Sequence, residues 1–296
     1  MMSTLQISGN RIAYLELGSG EPVVLLHSSG SSGAQWRALA ERLGARYRVI
    51  VPDLYGYGDT ADWAGRRPFG LECEAEIVLA LLARGTGQAH LVGHSYGGAV
   101  ALHIASQRGD LLRSLTLIEP VAFHLLRGTD APALAEITEV AERVARAIAR
   151  GEYVAGFGGF VDYWSGPDAW AAVPADRRRV MAARLPKVAL DFHATVNEPI
   201  RLEDLRSMAV PTLLLQGTSS PLPTRRICER LAHTLPDAKL TSIPGAGHMA
   251  PLTHRAQVNA MVMTQIDAHS AGGFRPSLIP EAASGTNVSC AAAMVT

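Results

Sequence analysis

Two short stretches of this chain bring together residue types that could make an alcohol reactive in water. Gly93-His94-Ser95-Tyr96-Gly97, followed by Gly98, has the spacing G-x-S-x-G. It lies between an apolar run at 90–92 and a stretch of helical character from 97 onward, the setting in which the spacing is informative. A sharp strand-to-helix turn would hold Ser95 in a strained backbone conformation. Small residues two before and two after it let the chain pass closely, and the helix N-terminus behind it favours developing negative charge. A serine hydroxyl is a weak nucleophile at neutral pH. It needs a base within hydrogen-bond reach, and that base needs an orienting carboxylate. The best placed base is His248, in Pro244-Gly245-Ala246-Gly247-His248-Met249, a glycine-rich loop directly after the last predicted strand. His103 reads as mid-helix packing, His233, His254 and His269 as helix surface, and His90 as the start of a strand.

The elements that must position these residues are legible as an alternation. Apolar runs predict strands at 11–17, 23–26, 48–51, 90–93 and 115–118, and helical spacing predicts helices at 35–43, 71–82 and 97–106. Strands alternating with helices imply a parallel sheet covered on both faces, and continuously apolar strands fit burial on both sides. From 121 to 206 no strand is predicted. Helical character recurs at 133–149, 175–185 and 188–196, separated by an aromatic, glycine-rich stretch at 156–164. The sheet then resumes at 210–215, a helix covers Arg225 to Leu231, a last strand lies at 239–243, and a helix closes at 254–268. The expected organisation is a core of residues 1–120 and 207–269, a helical lid insertion at 121–206, and a flexible extension at 270–296, rich in Ala, Gly, Ser and Pro.

Composition narrows the function classes. The chain has 296 residues, with 27 Lys+Arg against 27 Asp+Glu, so the formal net charge is zero. A broad nucleic-acid or anionic-membrane surface would need a basic excess. Hydrophobic residues make up 48% and charged residues 18%, enough for a sizeable core. Cys73, Cys228 and Cys290 are far apart and odd in number, so neither a disulfide framework nor a zinc site is expected. The N-terminal stretch has no basic region followed by a long apolar one, and the longest apolar runs fall far short of the ~20 residues of a membrane span. The expectation is a soluble, cytoplasmic protein acting on a small-molecule substrate, with no nucleic acid and no membrane as partner. Neither a dinucleotide fingerprint nor a G-K-[ST] loop is present, and no metal or organic cofactor is implied. Asp53, in Val51-Pro52-Asp53-Leu54, reads as a structural carboxylate tying down a turn.

Taken in order, V-V-L-L-H-S-S-G-S-S-G-A-Q-W, V-P-D-L-Y-G-Y-G-D-T, L-V-G-H-S-Y-G-G-A, P-T-L-L-L-Q-G-T and P-G-A-G-H-M-A-P-L resemble the α/β-hydrolase superfamily over roughly residues 10–268. The resemblance implies an α/β fold with an eight-stranded, mostly parallel sheet flanked by helices and a lid inserted after the sixth strand. It also implies three further site assignments. The family usually places its triad acid after the seventh strand, but here that stretch reads Gly217-Thr218-Ser219-Ser220-Pro221, with Ser220 at the expected aspartate and no carboxylate between Pro211 and Arg226. Some relatives carry the acid after the sixth strand instead, which in this chain is Glu119, so Glu119 is assigned as the orienting acid and Ser220 is expected to matter little. The oxyanion donors implied by analogy are the backbone N–H groups of Tyr96 and of Ser29, the latter in His27-Ser28-Ser29-Gly30, where Ser28 stands at a position commonly glycine.

Phe157, Phe160, Tyr163 and Trp164 could line an apolar pocket or form the core of the insertion, and Phe123 and His124 follow Glu119 closely enough to reach the site mouth. Two functions from different classes follow. One is a serine hydrolase cleaving an ester or related acyl bond through Ser95, His248 and Glu119, with C–C bond hydrolysis, lactone opening and perhydrolysis available to the same constellation. The other is a small-molecule-binding, receptor-like protein of the same fold.

Overall fold

The computed structural model describes residues 2–271, so the part of the predicted C-terminal extension beyond Ala271 lies outside the described residues. Eight strands form one sheet. They are β1 (Met2–Ile7), β2 (Asn10–Leu17), β3 (Pro22–Leu26), β4 (Arg48–Pro52), β5 (Ala89–His94), β6 (Leu112–Ile118), β7 (Thr212–Gly217) and β8 (Ala238–Ile243). Their order is β1-β2-β4-β3-β5-β6-β7-β8. β1 and β2 pair antiparallel, as do β2 and β4, and every other pairing is parallel. The strand order reverses at β3, whose neighbours are β4 and β5. The loops leaving β3 and β5 therefore diverge and open a crevice at the carboxyl edge of the sheet.

Ten α-helices accompany the strands. They are α1 (Arg37–Leu43), α2 (Leu71–Leu82), α3 (Tyr96–Arg108), α4 (Ala131–Ala149), α5 (Tyr153–Ser165), α6 (Ala175–Ala182), α7 (Leu185–Asn197), α8 (Leu222–Thr234), α9 (Ala250–Thr253) and α10 (Arg255–Ala268). The period-two alternation of the strands divides the core between the two faces of the sheet. Val24 and Leu26 of β3 join the cluster packed under α2 and α3, which runs on into α4, α5 and α7. Val23 and Leu25 join the other cluster, under α1 and α10, with Leu39, Val258 and Ile266. No helix among the described residues is long and apolar enough to cross a membrane.

Two elements depart from the pattern-based expectation. β1 went unpredicted because it is an edge strand whose side chains are largely exposed, Met2 among them, so it lacks the apolar run that marks a buried strand. α5 contains Gly156, Gly158 and Gly159, each costing a helix about 1 kcal/mol against alanine. Packing outweighs that cost. A Cβ on Gly158 would stand 2.5 Å from the Trp170 ring, and one on Gly156 would stand 2.5 Å from Ala147 Cβ. The glycines let α5 lie close to its neighbours.

Between β6 and β7, α4 to α7 form a helical block over the carboxyl edge of the sheet. Their inner faces belong to the cluster that includes α2 and α3.

Candidate active site

The carboxyl ends of five parallel strands supply the site. Ser29 follows β3, Ser95 follows β5, Glu119 follows β6, the 217–220 turn follows β7 and His248 follows β8. Register carries them to a common edge, since Leu26 pairs with Gly93, His94 with Ile118, Ile118 with Leu215 and Gly217 with Ile243.

Ser95 is the N-cap of α3 with φ 56° and ψ −115°, a left-handed conformation rare for a residue with a side chain. Its N–H donates to the Ile118 carbonyl at 2.9 Å, and the N–H of Gly97 donates to the His27 carbonyl at 3.1 Å. The flanking glycines are sterically required. A Cβ on Gly93 would lie 2.2 Å from the Gly97 carbonyl oxygen, and one on Gly97 would lie 2.6 Å from that of Leu26.

His248 Nε2 lies 2.9 Å from Ser95 Oγ, and His248 Nδ1 lies 3.3 Å from Glu119 Oε2. All three side chains are buried. Glu119 itself has φ 49° and its N–H donates to the Leu215 carbonyl at 2.9 Å, a second strained residue directly after a strand. Its other oxygen, Oε1, accepts the Gly217 N–H at 2.6 Å and the Ser220 hydroxyl at 2.7 Å. Burial alone would push this carboxyl up. The hydrogen bond and charge of His248, aided by Thr224 and Ser220, outweigh burial and hold it below the ordinary carboxylate range. Ser220, uncharged and so without an expected task, donates to the carboxylate. The motif read for an acid at this position could not reveal that use.

A second chain of hydrogen bonds fixes His248 from its main-chain side. Ser28 donates from its N–H and its hydroxyl to Gln35 Oε1, at 3.2 and 3.0 Å. The Gln35 amide donates to His94 Nδ1 at 3.1 Å, and His94 Nε2–H donates to the His248 carbonyl at 2.9 Å. Burial, with His248 nearby, holds the His94 imidazole well below its usual range, so it is neutral and serves as a spacer. Asp53 accepts the N–H groups of Gly33 at 2.7 Å and Asp59 at 3.0 Å, bracing the turns on either side.

A narrow pocket of about 20 Å³ opens on Ser95. Its apolar wall is Val121, Phe123, Phe160, Trp164, Val188 and Phe192, and its polar groups come from Ser29, Tyr96, Asp191 and Thr195. Of the aromatics singled out in the sequence, Phe123, Phe160 and Trp164 therefore line the pocket. Phe157 and His124 lie outside it. Phe157 packs on Phe160 and Trp170, with ring centroids 5.8 and 5.7 Å away. His124 lies buried with Nδ1 donating to the Thr195 carbonyl at 3.1 Å. Trp164 lies over the imidazole of His248, with ring centroids 4.0 Å apart. It also borders a wider groove, together with Tyr163, Ser219 and Gly247, on the far side of the imidazole.

The residues that pattern reading did not find are Asp191, Lys187, Glu74, Phe192 and Val188. Lys187 and Asp191 stand four apart on α7, a spacing that on most helices marks a solvated ion pair. Here both are buried. Among the described residues, no three His, Cys, Asp or Glu side chains converge as a metal site requires.

The profile of the alpha/beta hydrolase family matches residues 23–261. The chain belongs to the alpha/beta hydrolase family. Over 283 residues this hydrolase is 26% identical to the (E)-2-((N-methylformamido)methylene)succinate hydrolase of Acinetobacter baylyi, covering 89% of this chain and 97% of the relative. Over 126 residues it is 36% identical to the 2-hydroxy-6-oxo-2,4-heptadienoate hydrolase of Pseudomonas putida, covering 39% of this chain and 44% of that protein. The crystal structure of a hydrolase from Pseudomonas aeruginosa is similar with a TM-score of 0.71 at 25% identity, covering 90% of this chain and 98% of that one.

Proposed function

We propose that this hydrolase cleaves an ester of a small organic molecule through an acyl-enzyme formed on Ser95. The observation that carries the reading is the contact of 2.9 Å between His248 Nε2 and Ser95 Oγ, with Glu119 on the opposite ring nitrogen. In the first step Oγ forms a bond to the ester carbonyl carbon while its proton passes to His248 Nε2. The carbonyl oxygen takes the negative charge, facing the N–H groups of Ser29 and Tyr96. The N–H of Tyr96 is available because a helix leaves its first donors without carbonyl partners. Collapse of the adduct breaks the bond to the leaving oxygen, which takes the proton back from His248 and departs as an alcohol. A water molecule then repeats the sequence and releases the acid. Glu119 holds the imidazole in the tautomer with Nδ1–H and stabilises the transient imidazolium. Side chains, main-chain N–H groups and water suffice for every step.

In this reading the helical block from α4 to α7 acts as a lid that shapes the substrate site. The pocket on the Ser95 side takes the acyl group, and the groove beyond Trp164 takes the alcohol. A pocket of about 20 Å³ is far below the ~300–1,000 Å³ that drug-sized ligands occupy, which favours short acyl chains. Its one charged wall residue is the carboxylate of Asp191, and no Lys or Arg lines it. With Asp191 paired to Lys187, the wall offers no cation to receive an acidic acyl group such as the dienoate of the Pseudomonas putida relative's name. A neutral, short-chain ester fits better than a carboxylate-bearing C–C substrate.

The test is a series of p-nitrophenyl esters of increasing acyl length, assayed with wild type and Ser95→Ala. Acetate to butyrate esters should turn over, longer chains should fall away, and Ser95→Ala should lose on the order of 10⁴–10⁶ in kcat. Nitrophenol release that survives intact in Ser95→Ala would reject the mechanism.

A further inference from the structure

Resting on that reading of Ser95, we propose that Lys187 and Asp191 of α7, acting with Glu74 of α2, are positioning residues that set the two oxyanion donors. Both donor residues end in a hydroxyl, and each hydroxyl is tied to a different buried carboxylate. Ser29 Oγ donates to Asp191 Oδ2 at 2.5 Å. The Tyr96 phenol donates to Glu74 Oε1 at 3.3 Å. One ammonium bridges the two carboxylates, since Lys187 Nζ donates to Asp191 Oδ1 and, at 3.1 Å, to Glu74 Oε1. The Tyr57 phenol adds a donor to Asp191 Oδ2 at 2.6 Å, and the Tyr55 N–H adds one to Glu74 Oε2 at 3.1 Å. The ammonium is enclosed by the rings of Tyr57, Phe69 and Tyr96, its Nζ standing 4.6, 4.8 and 4.6 Å from their centroids.

Two carboxylates and one ammonium are a costly filling for a core, and well-packed apolar side chains commonly do as well for stability. Apolar side chains cannot hold two hydroxyls in set directions. The same insertion grips the loop after β3 at two further points. Arg184 Nη1 donates to the Gly30 carbonyl at 3.1 Å. Gly30, with φ 72°, lies so close under Phe157 that a Cβ would stand 3.2 Å from the ring. The main-chain N–H of Ser29 is thus aimed by contacts from α5 and α7, and that of Tyr96 by the same cluster through Glu74. The insertion sets the oxyanion geometry as well as the shape of the pocket.

Ser29→Ala and Tyr96→Phe each delete one hydroxyl and leave both main-chain donors in place, and Asp191→Asn removes the charge that joins them. The readouts are kcat and KM on p-nitrophenyl butyrate, affinity for a trifluoromethyl ketone of matching chain length, and the rate at which a fluorophosphonate labels Ser95. Each hydroxyl deletion should lower kcat, ketone affinity and labelling rate together by roughly tenfold with KM within about twofold, and Asp191→Asn should lower the same three by about 10²-fold. Wild-type kcat and ketone affinity in folded Ser29→Ala and Tyr96→Phe would overturn the proposal. So would losses that only follow the fraction unfolded, read by circular dichroism. Should Asp191→Asn not fold, the two hydroxyl deletions decide alone. Failure of wild type to be labelled at Ser95 would reject the mechanism itself and this inference with it, whereas labelled wild type with indifferent variants rejects the inference only.

Discussion

Glu119 and Glu74 are both fully buried carboxylates within one site, yet their chemistry runs in opposite directions. Each receives three donors. Glu119 takes the Gly217 N–H, the Ser220 hydroxyl and His248, while Glu74 takes the Tyr55 N–H, the Tyr96 phenol and Lys187. Against burial, Glu119 is held below the ordinary range. Burial pushes Glu74 up, and Lys187 only partly offsets that because Asp191 shares the same ammonium and opposes ionisation. Counting donors does not predict a buried carboxyl's charge. What decides is whether a second negative group competes for the same cation.

That contrast can be broken at either end. The largest effect is expected from Glu119→Gln. Turnover should fall on the order of 10³–10⁴-fold while the far-ultraviolet spectrum stays that of wild type, because the imidazole loses its charge partner and its tautomer control. Turnover equal to wild type would mean that another group orients His248. The same variant sharpens the pH argument. A carboxyl whose folded pKa is depressed contributes stability that is present above its unfolded value, about 4.3, and is lost as pH falls through the folded value. The melting temperature of wild type should therefore drop more steeply than that of Glu119→Gln as pH falls below about 4.3. Parallel curves would contradict the sign.

Next in size is Lys187→Met, which leaves two carboxylates buried without their cation and should cost about 3–5 kcal/mol of stability at pH 7, read by denaturant titration. Here the pH trend runs the other way. Glu74, already raised, becomes harder still to ionise without Lys187, so the deficit should shrink as pH falls towards 5 and Glu74 takes up a proton. A deficit that is constant from pH 7 to 5 would mean that packing around the aliphatic stem, not charge, carries the loss.

The smallest effect is expected from Ser220→Ala. One hydroxyl donor to a charged acceptor is worth about 1.5–3 kcal/mol, so turnover should fall roughly 10- to 100-fold, well short of Glu119→Gln. The sequence-based expectation is instead that Ser220 matters little, and an unaffected rate would bear that expectation out.

The alternation of apolar strands and helical runs was legible because each strand is short, buried and bounded by turn residues. β1 and α5 were not, for opposite reasons. β1 has too little apolar signal because it lies at an exposed edge. α5 has three glycines that argue against a helix, and two of them are required by close packing, Gly156 against Ala147 and Leu185 and Gly158 against Trp170. Within the site, Ser95 is marked by the glycines its strained turn requires, and Glu119 by following an apolar strand directly. Lys187, Asp191 and Glu74 bear no such mark. Each sits in an ordinary helix where a charged residue is expected to face water, and only the packing of α7 against α2 and the loop after β3 turns them inward.

Residue types and their local spacing determined the strand-turn-helix around Ser95, the loop carrying His248 and the parallel sheet beneath them, because turn sterics and hydrophobic periodicity act over a few residues. Tertiary structure alone decided which residues wall the pocket beside Ser95 and which hydroxyls the buried charges hold. Those contacts join positions such as Ser29 and Asp191, 162 residues apart. Their pairing depends on how helices dock, and no local pattern encodes that.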